Sequence, residues 1–282
     1  MIVKCERCGS DIPESKDRCP TCGEPAGFPN VREVDSKEEE EALSRRYDEV
    51  VAKHQKDGTS EVLEAFESAL KSSVAVVAAD LHFVRQLMTS SKTLYNNYYM
   101  GVTANIRKPA NLEDDRNRRV ADAILFNGYA QEIVFAALSL TGVGLSSYGP
   151  YFMTLRDIAI ANRATVLEEN SFAFVQKHCR ISEQVPLGYR TIWPKRHKLA
   201  VTKLGNRVTA ATQPADFVGI FLSTAAERQA DEFIEVHIYG PFDGNAVESV
   251  AGNPDSGDEE ERVVAAIVRE IVTLSGRKWI DL

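Results

Sequence analysis

The chain has 282 residues, of which 44% are hydrophobic and 26% charged, and its formal net charge is −8. These values are typical of globular proteins and exclude wholesale disorder, collagen-like chains and coiled coils. The negative charge argues against a general nucleic-acid coat protein, because phosphate binding needs concentrated Lys and Arg. The apolar runs are too short to span a bilayer and the N-terminus lacks a secretory pattern, so we expect a cytoplasmic protein.

The first 28 residues contain two cysteine pairs, Cys5 with Cys8 and Cys19 with Cys22, separated by ten residues. Two Cys-x-x-Cys turns in a reducing compartment are typical of a tetrahedral zinc site, because four thiolates complete the coordination shell. We therefore predict a zinc ribbon over residues 1–28 that holds a structural Zn²⁺. Few basic residues and no aromatic residues lie among these cysteines, which favours a protein contact over nucleic acid.

A helical region is predicted over residues 29–130. Its first helix is expected to be capped by Asp35 or Ser36 and to end near Gly58. Four consecutive glutamates fall in the first turn of this helix, where the macrodipole favours carboxylates. The glutamate run indicates either a solvated helix start or an acidic contact for a basic partner.

Two more helices are expected in this region. One starts at Thr59 or Ser60 and includes the apolar stretch up to Leu87, because apolar residues recur at helical spacing. The other covers residues 115–127 and is rich in arginine. Between them, the tyrosines of residues 92–106 are expected to pack in the protein rather than to stack on bases.

An α+β domain is predicted over residues 131–282, with a mixed or antiparallel sheet and flanking helices. Runs of β-branched and aromatic residues bounded by turn signals predict the strands, and proline and acidic helix starts predict the helices. The predicted strands cover residues 133–140, 151–155, 164–167, 217–222 and 233–239, and the predicted helices cover residues 193–207 and 258–274.

The last predicted strand carries a candidate catalytic row. Side chains alternate along a strand, so Glu235, His237 and Tyr239 are expected on one face and apolar residues on the other. A carboxylate beside an imidazole suits proton transfer, because His titrates nearest neutrality and Glu holds its tautomer or acts as base. The alternative is a polar strand face that is merely wetted.

Two further groups of residues are candidates for chemistry. Arg163 precedes a short strand that Glu168 and Glu169 follow. These two carboxylates are candidates for a general base or a metal ligand, with Glu169 assigned as catalytic; the alternative is a helix cap. Residues 177–207 contain eight basic residues and one acidic residue, a formal charge of +7. Interleaved basic and aromatic residues are typical of RNA surfaces, and a solvated helix is the alternative. The candidate RNA contacts are Arg180, Arg190, Trp193, Arg196 and Lys198.

Several enzyme classes are disfavoured, because the sequence contains no Walker loop, dinucleotide fingerprint, HExxH or GxSxG motif. The cysteine ribbon, the helical middle and the α+β end with Arg163, Gly188-Tyr189-Arg190 and Glu235-Val236-His237 together resemble the zinc-finger RNase effectors of bacterial anti-phage defence, the ring-activated type in particular. This resemblance implies a toxic RNase that forms homo-oligomers and stays silent until a phage protein triggers it through the ribbon and the helical region.

A second resemblance is to ADP-ribosyltransferases. The motifs Tyr148-Gly149, Arg163-Ala164-Thr165, Asn170-Ser171 and Phe233-Ile234-Glu235-Val236 are similar to that family's strand motifs in order and spacing, although Phe233 stands where the family has Glu or Gln. It implies NAD as a substrate and a contact between Glu235 and the nicotinamide ribose.

The favoured function from the sequence is metal-independent RNA cleavage. In this reaction a base deprotonates the ribose 2′-hydroxyl, an acid protonates the leaving oxygen, and cations stabilise the phosphorane. Glu235 and His237 are assigned as the acid–base pair and Arg163 as the phosphate clamp. NAD-dependent transfer is the alternative, and a non-enzymatic scaffold that recruits a partner is the second alternative.

Overall fold

The computed structural model describes residues 3–97, 112–179, 184–224 and 231–282, with residues 112–117 described by their backbone only. Two of the tyrosines predicted to pack, Tyr98 and Tyr99, and the candidate RNA contact Arg180 lie outside the described residues.

The described residues form ten strands in two sheets. The strands are β1 (Val3–Lys4), β2 (Asp11–Ile12), β3 (Val74–Ala79), β4 (Ile133–Ser139), β5 (Tyr151–Leu155), β6 (Ala164–Leu167), β7 (Arg190–Ile192), β8 (Glu235–Tyr239), β9 (Val247–Gly252) and β10 (Lys278–Asp281). β1 and β2 pair in the cysteine ribbon, and the other eight form one sheet in the order β10-β9-β5-β3-β4-β8-β6-β7. β9 and β10 run parallel and the other described pairs antiparallel, so the sheet is mixed, which is one of the two predicted alternatives.

Ten α-helices accompany the strands in the described part of the chain. They are α1 (Pro29–Val34), α2 (Lys37–Asp57), α3 (Ser60–Lys71), α4 (Leu81–Thr89), α5 (Leu112–Leu125), α6 (Asp157–Ile160), α7 (Ser171–His178), α8 (Arg196–Leu204), α9 (Phe217–Phe221) and α10 (Glu259–Leu274). The α+β class is therefore confirmed.

The two faces of the large sheet are covered by different helices. Val236 and Ile238 of β8 point into the main core, which α2, α3, α4, α8 and α10 complete. The opposite face of β4 and β6 packs against α5 and α7 through a smaller cluster that includes Leu125, Phe126 and Phe174. Glu235 and His237 therefore lie between the sheet and the cover formed by α5, α7 and the turn after α5, at residues 126–129.

Local capping signals set several helix boundaries as predicted. The hydroxyl of Ser36 accepts a hydrogen bond from the Glu39 N–H at 3.2 Å, and Gly58 ends α2 with φ of 69°. Asp258 caps α10 by accepting from the Glu261 N–H at 2.9 Å. These short-range signals succeeded because each depends on residues within one turn.

The predicted helix that starts at Thr59 or Ser60 is confirmed as far as Lys71, but its continuation to Leu87 is wrong. α3 ends at Lys71, and residues 74–79 form β3, which pairs with β4 and β5 near the centre of the sheet. Val74, Val76 and Val77 are β-branched and favour a strand where cross-strand neighbours cover them. Because β3 comes from the region predicted as helical, residues 29–130 and 131–282 share one sheet.

The predicted strand over residues 217–222 is also wrong, because residues 217–221 form helix α9. Phe217 and Phe221, four residues apart, are both buried, and the Phe217 ring packs edge-on against Phe66 with 5.1 Å between centroids. Tertiary packing of this aromatic pair outweighs the strand propensity of the segment. β7, β9 and β10 were not predicted; β7 and β10 are the edge strands of the sheet.

Gly188 provides a test of how closely its loop approaches helix α2. Its φ is 82°, and a Cβ there would lie 2.7 Å from the Ala42 carbonyl carbon and 2.8 Å from the Leu43 nitrogen. We expect Gly188→Ala to lower the free energy of unfolding by more than about 2 kcal/mol, since backbone strain and a clash with α2 add. Gly58→Ala is the matched control, because Gly58 also has positive φ but no atom within 4 Å. Urea unfolding measures both, and equal losses would contradict the close approach.

Candidate functional site

The four N-terminal cysteines lie close enough to hold one metal ion. Their sulfurs are all within 4.8 Å of one another, with 3.5 Å between Cys5 and Cys22 and 3.6 Å between Cys8 and Cys19. None of the four is in a disulfide. Four sulfurs around a tetrahedral ion at about 2.3 Å would be about 3.8 Å apart, so the spacing fits such an ion.

Glycine shapes the two cysteine turns. Gly9 and Gly23 follow the second cysteine of each pair with φ of 72° and 74°, and their N–H groups donate to the carbonyls of Cys5 and Cys19. Hydrogen bonds involving Ser10 lower the pKa of the Cys8 thiol to about 6. The local structure therefore favours the thiolate form of Cys8. At Cys22 a hydrogen bond with the Glu24 backbone lowers the pKa, but burial and the neighbouring thiols outweigh it and raise the pKa overall.

A second cluster is formed by Glu235, His237 and Ser171 beneath the cover. The Ser171 N–H donates to Glu235 Oε2 at 2.9 Å, and the Ser171 hydroxyl donates to the same oxygen. His237 Nε2 lies 3.0 Å from Glu235 Oε2 and 3.2 Å from Ser171 Oγ. Glu235 and His237 are only 6% and 4% exposed, so this strand face is buried rather than wetted.

The N-terminus of α7 explains why Ser171 reaches Glu235. Asn170 caps α7 by accepting from the Phe172 and Ala173 N–H groups at 3.0 and 3.3 Å. This leaves the Ser171 N–H, which has no partner inside the helix, free to donate to the carboxylate. The positive end of the helix dipole also favours a negative charge there.

This arrangement differs from a Ser–His–Glu relay. In such a relay the serine and the carboxylate contact different ring nitrogens of histidine. Here Ser171 and Glu235 both contact Nε2 of His237. The cluster therefore presents Glu235 as its central group, with Ser171 and His237 as the partners that hold the carboxylate.

The His237 ring is fixed by two phenylalanines and its backbone by an asparagine. The ring meets Phe126 at a centroid distance of 4.8 Å and Phe135 at 5.4 Å, both nearly perpendicular. Asn30 of α1 donates through Nδ2 to the His237 carbonyl at 3.1 Å. These contacts leave His237 little freedom to turn while the cover is closed.

A small cavity of about 70 Å³ adjoins Glu235. Its walls are largely apolar and aromatic, and among the described residues Glu235 contributes the one carboxylate. The lining residues are Val76, Val77, Ala78, Tyr95, Phe135, Ala136, Ala137, Leu145, Tyr148, Phe233 and Glu235. Its volume is about half that of an apolar cavity that holds a benzene ring, so an aromatic ligand group would enter only if the walls moved.

Arg163 and Glu169, two of the predicted catalytic residues, lie apart from this cluster. Arg163 Nη1 donates to the carbonyls of Tyr239, Gly240 and Pro241 at 2.7, 3.1 and 2.9 Å. Glu169 forms an ion pair with Lys177 at 2.6 Å. Arg163 thus holds the turn after β8, which argues against its predicted role as a phosphate clamp. The predicted helix cap is supplied by Asn170 and not by Glu169.

The candidate RNA contacts are largely occupied by the protein itself. Arg190 pairs with Glu33 and Glu39, at 2.7 Å in each case. Trp193 is 2% exposed and donates to Asp157 at 2.6 Å.

Arg196 and Lys198 complete the set of candidates within the described residues. Arg196 donates to the carbonyls of Lys71 and Ser73, where α3 ends, at 2.9 and 3.1 Å. Lys198 is half-buried near the Tyr47 ring. These placements argue against a continuous RNA-binding surface along α8.

Sequence reasoning missed Lys203. Its Nζ donates to the Phe233 carbonyl at 2.9 Å, two residues before Glu235. Burial lowers the pKa of Lys203 to about 8, opposed by the nearby charges of Glu168 and Glu169. Burial also raises the pKa of Glu168, although Arg46 lies 2.7 Å away. The signal in the sequence was a lysine within an otherwise apolar stretch of α8, which indicates a charge brought into the interior.

No family model and no curated protein sequence matches this chain. In the described ranges, no helix is long and apolar enough to cross a membrane.

Lys203 makes stability depend on pH. The unfolded chain holds a lysine proton up to about pH 10.4, and the folded protein releases it near pH 8, so the unfolded state binds more protons between these values. The destabilisation is therefore complete below pH 8 and is relieved as pH rises. We expect the free energy of unfolding of the native protein to rise from pH 8 to pH 10 relative to Lys203→Met.

Lys53→Met is the control for this pH series, because Lys53 is exposed on α2. Chemical denaturation of the three proteins across the range measures the effect. A difference between native protein and Lys203→Met that stays constant with pH would contradict it.

Proposed function

We propose that the cysteine ribbon binds Zn²⁺ and that the metal is structural. Four thiolates fill a tetrahedral shell, which leaves no position for water or substrate. The ribbon has a small apolar cluster of its own, in which Cys5, Cys19 and Ile12 are the buried members, so a metal is its main source of stability.

Metal analysis of the purified chain tests this proposal. We expect about one zinc per chain, and a loss of it in Cys8→Ser, because three thiolates hold the ion less tightly. Cys179→Ser is the control, since Cys179 lies in the separate cluster under α5 and α7. Equal zinc content in all three proteins, or none in the native chain, would contradict the assignment.

We propose that the protein is an enzyme that acts on a ribose through the Glu235 carboxylate. The observation that carries this proposal is that three groups, the N–H and hydroxyl of Ser171 and Nε2 of His237, converge on one oxygen of Glu235 at the wall of the aromatic cavity. A carboxylate held in this way is preorganised to accept a hydrogen bond from a hydroxyl of the substrate or to take its proton.

Of the substrates expected from the sequence, NAD is the better fit. Glu235 lies at an apolar and aromatic wall, the Ser171–Glu235 contact joins two motifs of the ADP-ribosyltransferase resemblance, and the arginines of α8 and β7 are occupied. In the proposed reaction the bond between ribose C1′ and the nicotinamide nitrogen breaks, and nicotinamide leaves with the bonding electrons. An acceptor group or water then bonds to C1′ and loses its proton.

RNA cleavage is the second candidate function, and the hydrogen bond between His237 and Glu235 favours it. A carboxylate next to an imidazole can serve as base for the 2′-hydroxyl, with the protonated imidazole as acid for the leaving 5′-oxygen. The two groups are 3.0 Å apart, so they would have to separate to admit a phosphate between them. Lys203, which is half-buried, is the remaining candidate for stabilising the phosphorane charge.

The proposed biological setting is an anti-phage or toxin-type effector that a protein trigger activates. The burial of Glu235 and His237 supports this setting, because a site with 6% and 4% exposure needs an opening step before a large substrate enters. Homo-oligomer formation and contact of the trigger with the ribbon belong to the same proposal.

Brief expression in bacteria tests the proposed activity. We expect cellular NAD to fall with the native protein and to fall about 10²-fold more slowly with Glu235→Gln, because the amide cannot take a proton. Glu248→Gln is the matched control, since Glu248 is exposed on β9. Enzymatic cycling measures NAD, and sequencing of RNA 5′ ends is run in parallel.

The outcomes separate the candidates. New RNA ends that require Glu235 and His237, with constant NAD, would replace the NAD proposal by RNA cleavage. Growth arrest that Glu235→Gln leaves unchanged, with both NAD and RNA intact, would contradict an enzyme at this site and favour the scaffold. A co-expressed trigger candidate is included in each arm, because the described form is closed.

A further inference from the structure

Arg32 of α1 fastens the ribbon to the rest of the protein. Its Nη1 donates to the carbonyls of Lys16, Ala26 and Gly27 at 2.8, 3.2 and 3.0 Å, and its Nη2 donates to the carbonyl of Glu14 at 2.9 Å. These carbonyls precede and follow the second cysteine pair. One guanidinium therefore binds both ends of the segment that contains Cys19 and Cys22. These hydrogen bonds can form only while the ribbon keeps its folded conformation.

Asn30, two residues earlier in α1, connects the same helix to the candidate site. Asn30 is 1% exposed, and its Nδ2 donates to the carbonyls of Arg163 and His237 at 3.0 and 3.1 Å. Arg163 immediately precedes β6, and His237 is the middle residue of the neighbouring strand β8. A displacement of α1 would therefore act on the backbone of His237.

The turn at residues 126–129 makes a second connection between the ribbon and His237. Asn127 Nδ2 donates to Glu14 Oε2 at 3.2 Å, and Gly128 lies against Ser15. Phe126, next in the chain, packs on the His237 ring. The Tyr129 hydroxyl donates to Glu33 of α1, so the turn and α1 also hold each other.

We propose that the metal-filled ribbon is a latch that keeps the cover closed over Glu235 and His237. Arg32, Asn30 and Phe126 are its positioning residues: two connections start at the ribbon and meet at His237, one at its backbone and one at its ring. Loss of the metal, or a protein that pulls the ribbon away, releases both connections and opens the site. The catalytic consequence rests on the proposed function, whereas the latch itself does not.

Cys179 reports whether the cover is open. It is 1% exposed and belongs to the buried cluster that contains Phe126, Leu125 and Phe174. An alkylating reagent reaches this thiol only when the cover opens, so its labelling rate follows the opening equilibrium. Peptide-resolved mass spectrometry separates Cys179 from the four cysteines of the ribbon.

The test compares the native full-length protein with Arg32→Met, both loaded with zinc. We expect unchanged zinc content and a Cys179 alkylation rate at least about tenfold higher in Arg32→Met, because the link between ribbon and α1 is cut. Removing zinc from the native protein with a chelator should have the same effect. The ring signal of His237 in NMR spectra, assigned with His237→Gln, should shift as Phe126 leaves the ring.

Two control variants make the test specific. Arg7→Met removes an exposed ribbon arginine that pairs with Glu24 inside the ribbon, and it should leave Cys179 protected. Val268→Ala creates a cavity in α10 on the opposite side of the sheet and should lower the melting temperature without raising the labelling rate. If Arg32→Met does not fold, Asn127→Ala replaces it, because this change removes only the hydrogen bond from exposed Asn127 to Glu14. It should raise the Cys179 alkylation rate about threefold.

An alkylation rate that stays within about twofold of the native rate after zinc removal and in Arg32→Met would overturn the latch. So would an increase of equal size in Val268→Ala, because it would show general loosening. Alkylation requires no catalytic turnover. A protein with no effect on NAD or RNA but with the expected labelling would therefore contradict the proposed function and leave the latch standing.

Discussion

A buried carboxylate is costly unless donors replace the water that it loses, and Glu235 imposes this requirement on the centre of the molecule. Its oxygen Oε2 is met by the N–H and hydroxyl of Ser171 and by His237. The two Ser171 donors reach this oxygen because the N-terminus of α7 lies beside the start of β8, where Leu167 pairs with Glu235. The position of α7, and of the cover to which it belongs, therefore depends on the hydrogen bonds that the Glu235 carboxylate needs.

The need of a buried carboxylate for hydrogen-bond donors also explains the charge pattern of the chain. The glutamate run of α2 and the basic segment at residues 177–207 meet each other in the folded protein. Glu39 is buried and accepts from Arg190 and from the Gly188 N–H, each at 2.7 Å, and Glu40 pairs with Lys195 at 2.8 Å. The basic partner for the acidic run lies in the same chain, so much of the +7 segment is neutralised internally.

This internal pairing bears on the choice between substrates. An RNA substrate needs cations that remain available for phosphate, and a ribose-linked small molecule needs a shaped cavity with few polar groups. The guanidinium groups of Arg163, Arg190 and Arg196 donate hydrogen bonds to carbonyls and carboxylates of the protein. The aromatic cavity beside Glu235 is space at the site that no protein group fills. The position of the ribbon next to α1 and the turn at residues 126–129 adds a means of closing that site.

The sequence alone determined the features that depend on short-range spacing: the four-cysteine cluster, the caps at Ser36 and Asp258, and the shared face of Glu235 and His237. Each follows from a period or a spacing within a few residues. The tertiary structure alone decided that residues 74–79 form a central strand, that residues 217–221 form a helix, and that Arg190 and Arg196 contact protein carboxylates and carbonyls. These outcomes depend on partners far away in the chain, such as Glu39 for Arg190, and a local pattern contains no information about which distant group will supply the missing hydrogen bond or cover the apolar face.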